Sequence, residues 1–554
     1  MENKIKLIDF KYLFMTQNQL FKIILIVFIV MASLSSFSQK SHPYNKKETI
    51  TTPKWEVIDI SFKAKAPKKP FSVGFSAEFI LNGKTITAPG FYNGDDQWVV
   101  RFSASTEGDW TYETKSELKS LSGKTGKVLV TPALANNHGG IVIDKNDPQK
   151  FSYEDGTPYF LLAFECDWLF ALDYDNHNAI PKTEHLLDLL NKNGLNQIVM
   201  NVFSYDVSWG KDEKLKDYPQ FEYGARPGVF PFHGDNSNPD FSALNVDFFK
   251  KLDRVMSAMH DRRIASHLMI YVWNKLVNWP EMYSEADNMY FDYVVKRYQA
   301  FPNLVWDVSK EALFYGRADE KYILDRIDRI KMNDSFKRLV SVHDFGFCAK
   351  YPEQVDFISV QDWKLDIYNK MLDNYKKFKT KPIFNIEHGG YEDAPFEVFT
   401  GAYISPEYCL RRNYECLFAG AYSTYYWQDA AWNVIIHNPF EQPDNFIKPK
   451  FEYYRHMQEF FTSHDFSKYK PSPNKNGNGF GLTDEKGNML LYTPKENYKQ
   501  AMYWLEKETE KITFQWFNTL SGEYSPKETY TKKSSFRSPW SGKADAILIL
   551  NIQE

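Results

Sequence analysis

The sequence predicts a multidomain α/β protein: a central (β/α)8 TIM barrel flanked by N-terminal and C-terminal all-β sandwich domains. Three observations carry that expectation. Residues from about 145 to 465 alternate apolar, strand-length runs with helical segments, and eight strands can be counted, the rhythm of a closed parallel barrel. The stretches on either side contain short alternating runs broken by Gly, Asn and Asp turns, as sandwiches do. Two of the barrel runs end in glutamate, at Glu311 and Glu387, on the face where such barrels build their chemistry.

Taken in order, residues 1–38 read as an export signal. Lys22 precedes the apolar run Ile23 to Ala32, followed by Ser33-Leu34-Ser35-Ser36-Phe37-Ser38. A positive flank, a short apolar core and small residues at Ser36 and Ser38 predict cleavage before Gln39, and Met15 gives an alternative start. A membrane span needs ~20 apolar residues, so stable insertion after cleavage is not expected. The expected destination is the periplasm or the medium.

Residues 45–138 are expected to form an immunoglobulin-like sandwich. Trp55 to Ile60, Phe75 to Leu81, Trp98 to Phe102, Thr111 to Thr114 and Gly126 to Thr131 read as strands, and Gly90 to Gly94 and Gly108-Asp109-Trp110 as turns. Arg101 is read as a structural ion-pair partner rather than a ligand contact. His138-Gly139-Gly140 marks the linker to a barrel spanning 145–465.

In the barrel, strands are predicted at Pro158 to Phe164, Gln197 to Val202, Ile264 to Val272 and within Asn303 to Ala312, then Leu339 to Val342, Val355 to Val360, within Lys381 to Gly390 with Glu387 at the strand's end, and Ala419 to Tyr426. Helices are predicted at Thr183 to Lys192, Asn245 to His260, Glu285 to Gln299, Tyr322 to Met332, Tyr368 to Lys379 and Pro406 to Phe418, with a further helix at Glu452 to Phe461. The stretch from Phe203 to Asp240 reads as one long loop, a length that compact domains usually reserve for function. Residues 468–554 read as a second β-sandwich, with strands at Met489 to Tyr492, Lys511 to Trp516 and Ala546 to Leu550.

Composition narrows the function classes. The net charge is -4, and residues 1–38 contribute four lysines against Glu2 and Asp9, so a chain without them carries -6. No basic field for nucleic acid is present. Aromatic residues are abundant, with 14 Trp, 35 Tyr and 44 Phe; most belong in cores, and the excess is compatible with binding sugar faces. Cys166, Cys348, Cys409 and Cys416 lack metal-type spacing and read as buried thiols. No phosphate-cradling Gly-rich loop is found, so neither metal nor cofactor is expected. The oligomeric state is not legible.

Glu311 and Glu387 lie 76 residues apart, about three strand-helix units of a ~250-residue barrel. Two carboxylates on one barrel mouth are the apparatus of glycoside hydrolysis, although a strand-end glutamate can also cap the next helix. Glu165, Asp167, Asn201, Asn274, Asp344 and Gln361 also sit at predicted strand ends, where short polar groups bind sugar hydroxyls. His343 and His388 can bond a carboxylate or a hydroxyl. Trp168, Trp273, Trp363 and Trp427 are stacking candidates as well as core candidates. Lys310 precedes Glu311; it could receive an anionic sugar, but strand alternation predicts that it faces the helix layer.

The motifs Gly90-Phe91-Tyr92-Asn93-Gly94, Val100-Arg101-Phe102, Gly108-Asp109-Trp110-Thr111-Tyr112, Phe151 to Pro158, Val305-Trp306-Asp307, Glu387-His388-Gly389-Gly390, Tyr425-Tyr426-Trp427 and Phe514 to Asn518, with the closing Ile547 to Leu550, occur in one order along the chain. In that order the chain resembles bacterial glycoside hydrolases with an N-terminal immunoglobulin-like domain, an apiosidase-like barrel and a C-terminal β-sandwich. The resemblance implies a retaining mechanism with Glu311 as acid/base and Glu387 as nucleophile. In much of the related clan an Asn precedes the acid/base, where this chain has Lys310. The implied activity is hydrolysis of plant or algal polysaccharides or oligosaccharides. The rival class, which Lys310 favours and the two glutamates oppose, is a non-catalytic carbohydrate-binding or adhesive protein on the same scaffold.

Overall fold

The computed structural model describes residues 40–205, 217–218, 228–273, 276–362, 366–387, 390–391, 405–428, 439–473, 480–497, 500–501, 511–530 and 535–553. Eight parallel strands close the barrel: β1 Ala163–Glu165, β2 Gln197–Asn201, β3 Ala265–Val272, β4 Leu304–Lys310, β5 Val340–His343, β6 Ile358–Gln361, β7 Ile383–Glu387 and β8 Ala421–Tyr425. The hydrogen-bonded order runs β5-β4-β3-β2-β1-β8-β7-β6, and contact between β5 and β6 completes the ring. Each strand is followed by a helix: α1 Pro181–Lys192, α2 Val246–Asp261, α3 Glu285–Tyr298, α4 Glu320–Asn333, α5 Phe345–Lys350, α6 Ile367–Lys377, α7 Pro406–Phe418 and α8 Phe451–Ser463. Asn245, Ser284, Asp319, Asp344 and Ser405 cap five of them, each side chain accepting an amide of the first turn, which satisfies an otherwise orphaned donor.

Two barrel elements differ from expectation. The first strand is only Ala163–Glu165, because Pro158 bridges back to Ser152 beside a small hairpin of Ile141–Ile143 and Phe151–Tyr153. The six-residue helix α5 was not expected, since six residues cannot show a helical period. The end of the long loop after β2 holds a hairpin, Phe232–Gly234 with Pro239–Leu244.

The N-terminal domain is two sheets around one core that includes Phe79, Trp98, Phe102 and Trp110. The strand Lys84–Tyr92 passes from one sheet to the other, pairing first with Phe75–Leu81 and then with Gln97–Phe102. Gly90-Phe91-Tyr92 is therefore the end of a strand, not a turn. Gly90 is needed because a Cβ there would lie 2.2 Å from the Phe75 ring. Trp55 to Val57 precede their strand, Ile58–Lys63, and Trp55 has a left-handed φ of 66°. The strands Lys40–Pro43 and Thr49–Pro53 complete the sheets.

Buried ion pairs join this domain to the barrel. Arg101 pairs with Asp59 at 2.8 Å on its own domain and with Asp253 of α2 at 3.1 Å. Asp253 also takes Arg297 of α3 at 2.6 Å, and Arg297 reaches back to Asn93 at 2.9 Å. Arg101 is thus structural, as expected, but across two domains.

The C-terminal sheet buries both faces. Along Met489–Thr493, Met489 and Leu491 enter the small domain's own core, while Leu490 and Tyr492 join the barrel's. Along Ala546–Gln553, Leu548 and Leu550 face the first and Ile547 and Ile549 the second. Arg411 of α7 adds a two-bond contact to Asp545, at 2.8 and 2.7 Å. Among the described residues no helix is long and apolar enough to cross a membrane.

Candidate active site

The strand ends converge on a buried ammonium. Lys310 Nζ lies 2.6 Å from Glu165 Oε1 at the end of β1, 3.0 Å from Glu387 Oε2 at the end of β7 and 3.3 Å from Asp167 Oδ2 just beyond β1. The lysine is only 2% exposed, so it faces the barrel mouth and not the helix layer.

A bulge explains the reversal. Asp307 pairs with Ser341 and Lys310 with His343, so β4 spends three residues where β5 spends two. One extra residue inverts the alternation and re-aims the side chains beyond it. Asp307 holds the irregularity: its Oδ1 accepts from the amides of Ser309 and His343, both at 3.0 Å. Its other oxygen lies 3.0 Å from His267 Nε2 on β3. Sequence reading passed over Asp307, although an aspartate inside an apolar strand was a visible signal.

The residue after the strand turns inward as well. Glu311 has a φ of 57°, a left-handed conformation uncommon outside glycine. Two successive extended residues would point to opposite sides, whereas this kink lets Glu311 follow Lys310 into the mouth. Its Oε1 there accepts from Gln361 Nε2 at 2.9 Å. Gln361 is the register partner of Glu387 on β7, so the amide that holds one glutamate sits beside the other.

Electrostatics sort the groups. Burial pushes the Glu165 carboxyl well above the usual range, Glu387 and Asp167 add to it, and Lys310 offsets part. Burial opposes the charge on Lys310, but Asp167, Glu165, Glu387 and Glu311 outweigh it and hold the ammonium well above the ordinary lysine value. His343 is pushed down to about 3 by burial and then by Lys310, which leaves a neutral imidazole 3.7 Å from Glu387. Burial raises Tyr315 to about 12, with Glu311 and Glu387 contributing; sequence reading missed this tyrosine, which lies beyond the strand.

Several buried polar atoms here make no hydrogen bond among the described residues: Glu165 Oε2, Asn201 Oδ1, Trp273 Nε1 and both His343 ring nitrogens. Native structures rarely leave such atoms unmatched. They belong to β1, β2, the segment after β3, and β5, and so approach one mouth from different sides. Asn201 uses its amide nitrogen on Asp167, at 3.0 Å to the carbonyl oxygen.

The other predicted residues are less central. Trp168 is buried in the main core. Trp273 packs on Tyr271, and the Arg317 guanidinium lies 5.4 Å over its ring. Asp344 caps α5, which gives it a structural task. Asn274, Trp363 and His388 lie outside the described residues, as does the side chain of Trp427, whose backbone pairs with Gly390. Lys310 as a receptor for an anionic sugar does not fit, because its charge is already met by three carboxylates.

A search of curated proteins finds no match. Among solved structures, one from Bacteroides vulgatus described as a candidate glycoside hydrolase superposes with a TM-score of 0.72 at 18% identity, covering 91% of this chain and 100% of that one. A glycoside hydrolase family 5 structure from the same species gives 0.53 at 16% identity, covering 75% and 94%. At such identities they show a shared fold. Residues 51–117 match a domain of unknown function, DUF5060. Residues 145–468 match the apiosidase-like catalytic domain, a match that takes in the whole barrel and more than half of the chain, and the protein therefore belongs to that family and is a glycoside hydrolase.

Proposed function

We propose that the protein is an exported, retaining glycosidase acting on plant or algal polysaccharides or their fragments, with Glu387 as nucleophile and Glu311 as acid/base. The observation that carries the reading is the convergence of unmatched buried polar atoms around a strand-end glutamate pair. Sugar hydroxyls are donors and acceptors at once, and such a ring of atoms suits them.

In the first step the Glu387 carboxylate attacks the anomeric carbon as the glycosidic bond breaks, and Glu311 gives its proton to the leaving oxygen. A water then attacks the glycosyl-enzyme bond, Glu311 takes the water's proton, and Glu387 departs as carboxylate. Lys310 Nζ lies 3.0 Å from the carboxylate that attacks and later departs. A neutral His343 can accept a hydrogen bond from a hydroxyl. Retention requires carboxyls ~5–5.5 Å apart. Export rests on the signal-like residues 1–38. The family's description names an apiosidase, so apiosyl linkages head the substrates to be tried.

The test is release of reducing ends from neutral and anionic oligosaccharides by the parent, Glu311→Gln and Glu387→Ala, with the anomer of the first product read by NMR. Each variant should lose ~10²–10⁴ in rate, and the first product should keep the substrate's anomeric configuration. Binding without turnover by the parent would move the protein to the carbohydrate-binding class, and an inverted product would overturn the two-step mechanism.

A further inference from the structure

A second cleft, of about 570 Å3, lies between the N-terminal domain and the barrel. One wall comes from the segments around Phe71 and Tyr92. The other comes from the hairpin strand carrying Phe241 and from the first turns of α2 and α3, at Val246, Asp247, Glu285 and Ala286. Barrel helices run antiparallel to their strands, so those first turns stand at the end where the strands' C-termini build the active site. The domain of unknown function thus lends residues to the catalytic end of the barrel.

The lining is that of a sugar platform. Phe71, Tyr92 and Phe241 are half-buried, so each ring keeps part of its surface toward the cleft while being held from behind. Phe71 packs edge-on to Tyr92 at 5.6 Å and to Tyr293 of α3 at 5.5 Å, and Phe241 packs on Phe232 at 4.9 Å. Tyr293 also donates to the Tyr92 carbonyl at 2.8 Å, fixing one wall to the other. Fixed rings lose little freedom on binding. Charges on the lining balance, three lysines against three acidic side chains. Two of each pair with one another, Lys69 with Glu285 at 2.8 Å and Lys250 with Asp247 at 3.3 Å. A strongly charged ligand gains nothing there, whereas the apolar face of an uncharged sugar can lie on the rings and its hydroxyls can reach Ser72 and Ser242.

We infer that this cleft is a second glycan-binding site, which holds a neutral stretch of the polysaccharide chain while another stretch is cleaved at the barrel mouth. The inference rests on the glycosidase reading above, and it gives the N-terminal domain a task in substrate capture. Its test is affinity electrophoresis of the full chain carrying Glu387→Ala through gels containing xyloglucan, glucomannan or arabinoxylan, with polygalacturonate as the anionic control. Phe241→Ala removes a ring, and Ala286→Arg fills the cleft without removing packing. At least one neutral polymer should retard the protein, and either change should weaken the retardation roughly fivefold or more. In the otherwise unmodified enzyme, the same changes should lower the rate on that polymer relative to its trisaccharide. Retardation indifferent to both changes, retardation by polygalacturonate alone, or none by any polymer overturns the site. Should retardation depend on the cleft while no reducing ends form from any substrate, the glycosidase reading fails and the cleft stands.

Discussion

Replacing Lys310 with methionine removes one positive charge from among three buried carboxylates and keeps most of the side-chain volume. The ammonium's neighbours at 2.6, 3.0 and 3.3 Å are left facing one another. Removing one partner of a buried pair costs ~3–5 kcal/mol. At ~2–4 °C per kcal/mol for a sizeable domain, the midpoint should fall by roughly 6–20 °C at pH 7. Acid should reverse part of the loss. In the parent, the raised Lys310 value contributes stability that is complete below the ordinary lysine range and disappears only as pH rises through the folded value. The variant gains a dependence of the same sign in a lower pH window: crowded carboxyls hold protons that the unfolded chain has released, so its stability falls as pH rises. A carboxyl that stays protonated in the folded variant from pH 7 to 5, and ionised when unfolded, returns ~2.7 kcal/mol over those two units. The assay is thermal unfolding of both proteins at each pH, and it needs no substrate. A deficit that is absent at pH 7, or that stays constant or grows toward pH 5, would refute the placement of this ammonium among the carboxylates.

Two more outcomes concern other parts of the fold. Asp253 is buried, but Arg101 and Arg297 hold its carboxyl down to about 2. Relative to an unfolded value of ~3.9, that contributes ~2–3 kcal/mol, present above pH 4 and lost as pH falls toward 2; Asp253→Asn should flatten the parent's acid limb in that window, and an unchanged limb would exclude these buried ion pairs as its source. Glu311 occupies a left-handed conformation that asparagine tolerates better; Glu311→Asn should abolish hydrolysis while leaving stability equal or up to ~1 kcal/mol higher, and a marked fall in denaturant midpoint would show that the glutamate is structural.

Much of the site was readable because barrel chemistry follows strand ends. Counting apolar runs put Glu165, Asn201, Glu311, His343, Gln361 and Glu387 at one mouth, and the structure brings them there. Lys310 was misread because alternation is a property of an unbroken strand, and the break in β4 depends on Asp307 meeting amides that include one from β5, a contact no local window contains. The left-handed turn at Glu311 was hidden for a related reason, since nothing in its side chain favours it. Gly90 shows the converse: glycine suggested a turn, but its cause is the Phe75 ring lying where a Cβ would go. Trp55 lost its strand to a turn, and α5 was too short to carry a period.

The C-terminal sheet sends alternate residues of one strand into two different interiors, Leu490 to the barrel and Leu491 to its own domain. Such a strand is bilingual in heredity as well as in space. A gene that borrowed this barrel without the last hundred or so codons would expose a surface evolved never to meet water, and one that borrowed the small domain alone would carry the matching half. The two segments can drift only in step, each substitution at an even position of that strand answerable to the barrel side, where Tyr492 meets Tyr414 and Phe418 of α7, and each at an odd position to its sister strands. Lineages should therefore inherit the pair or lose it whole.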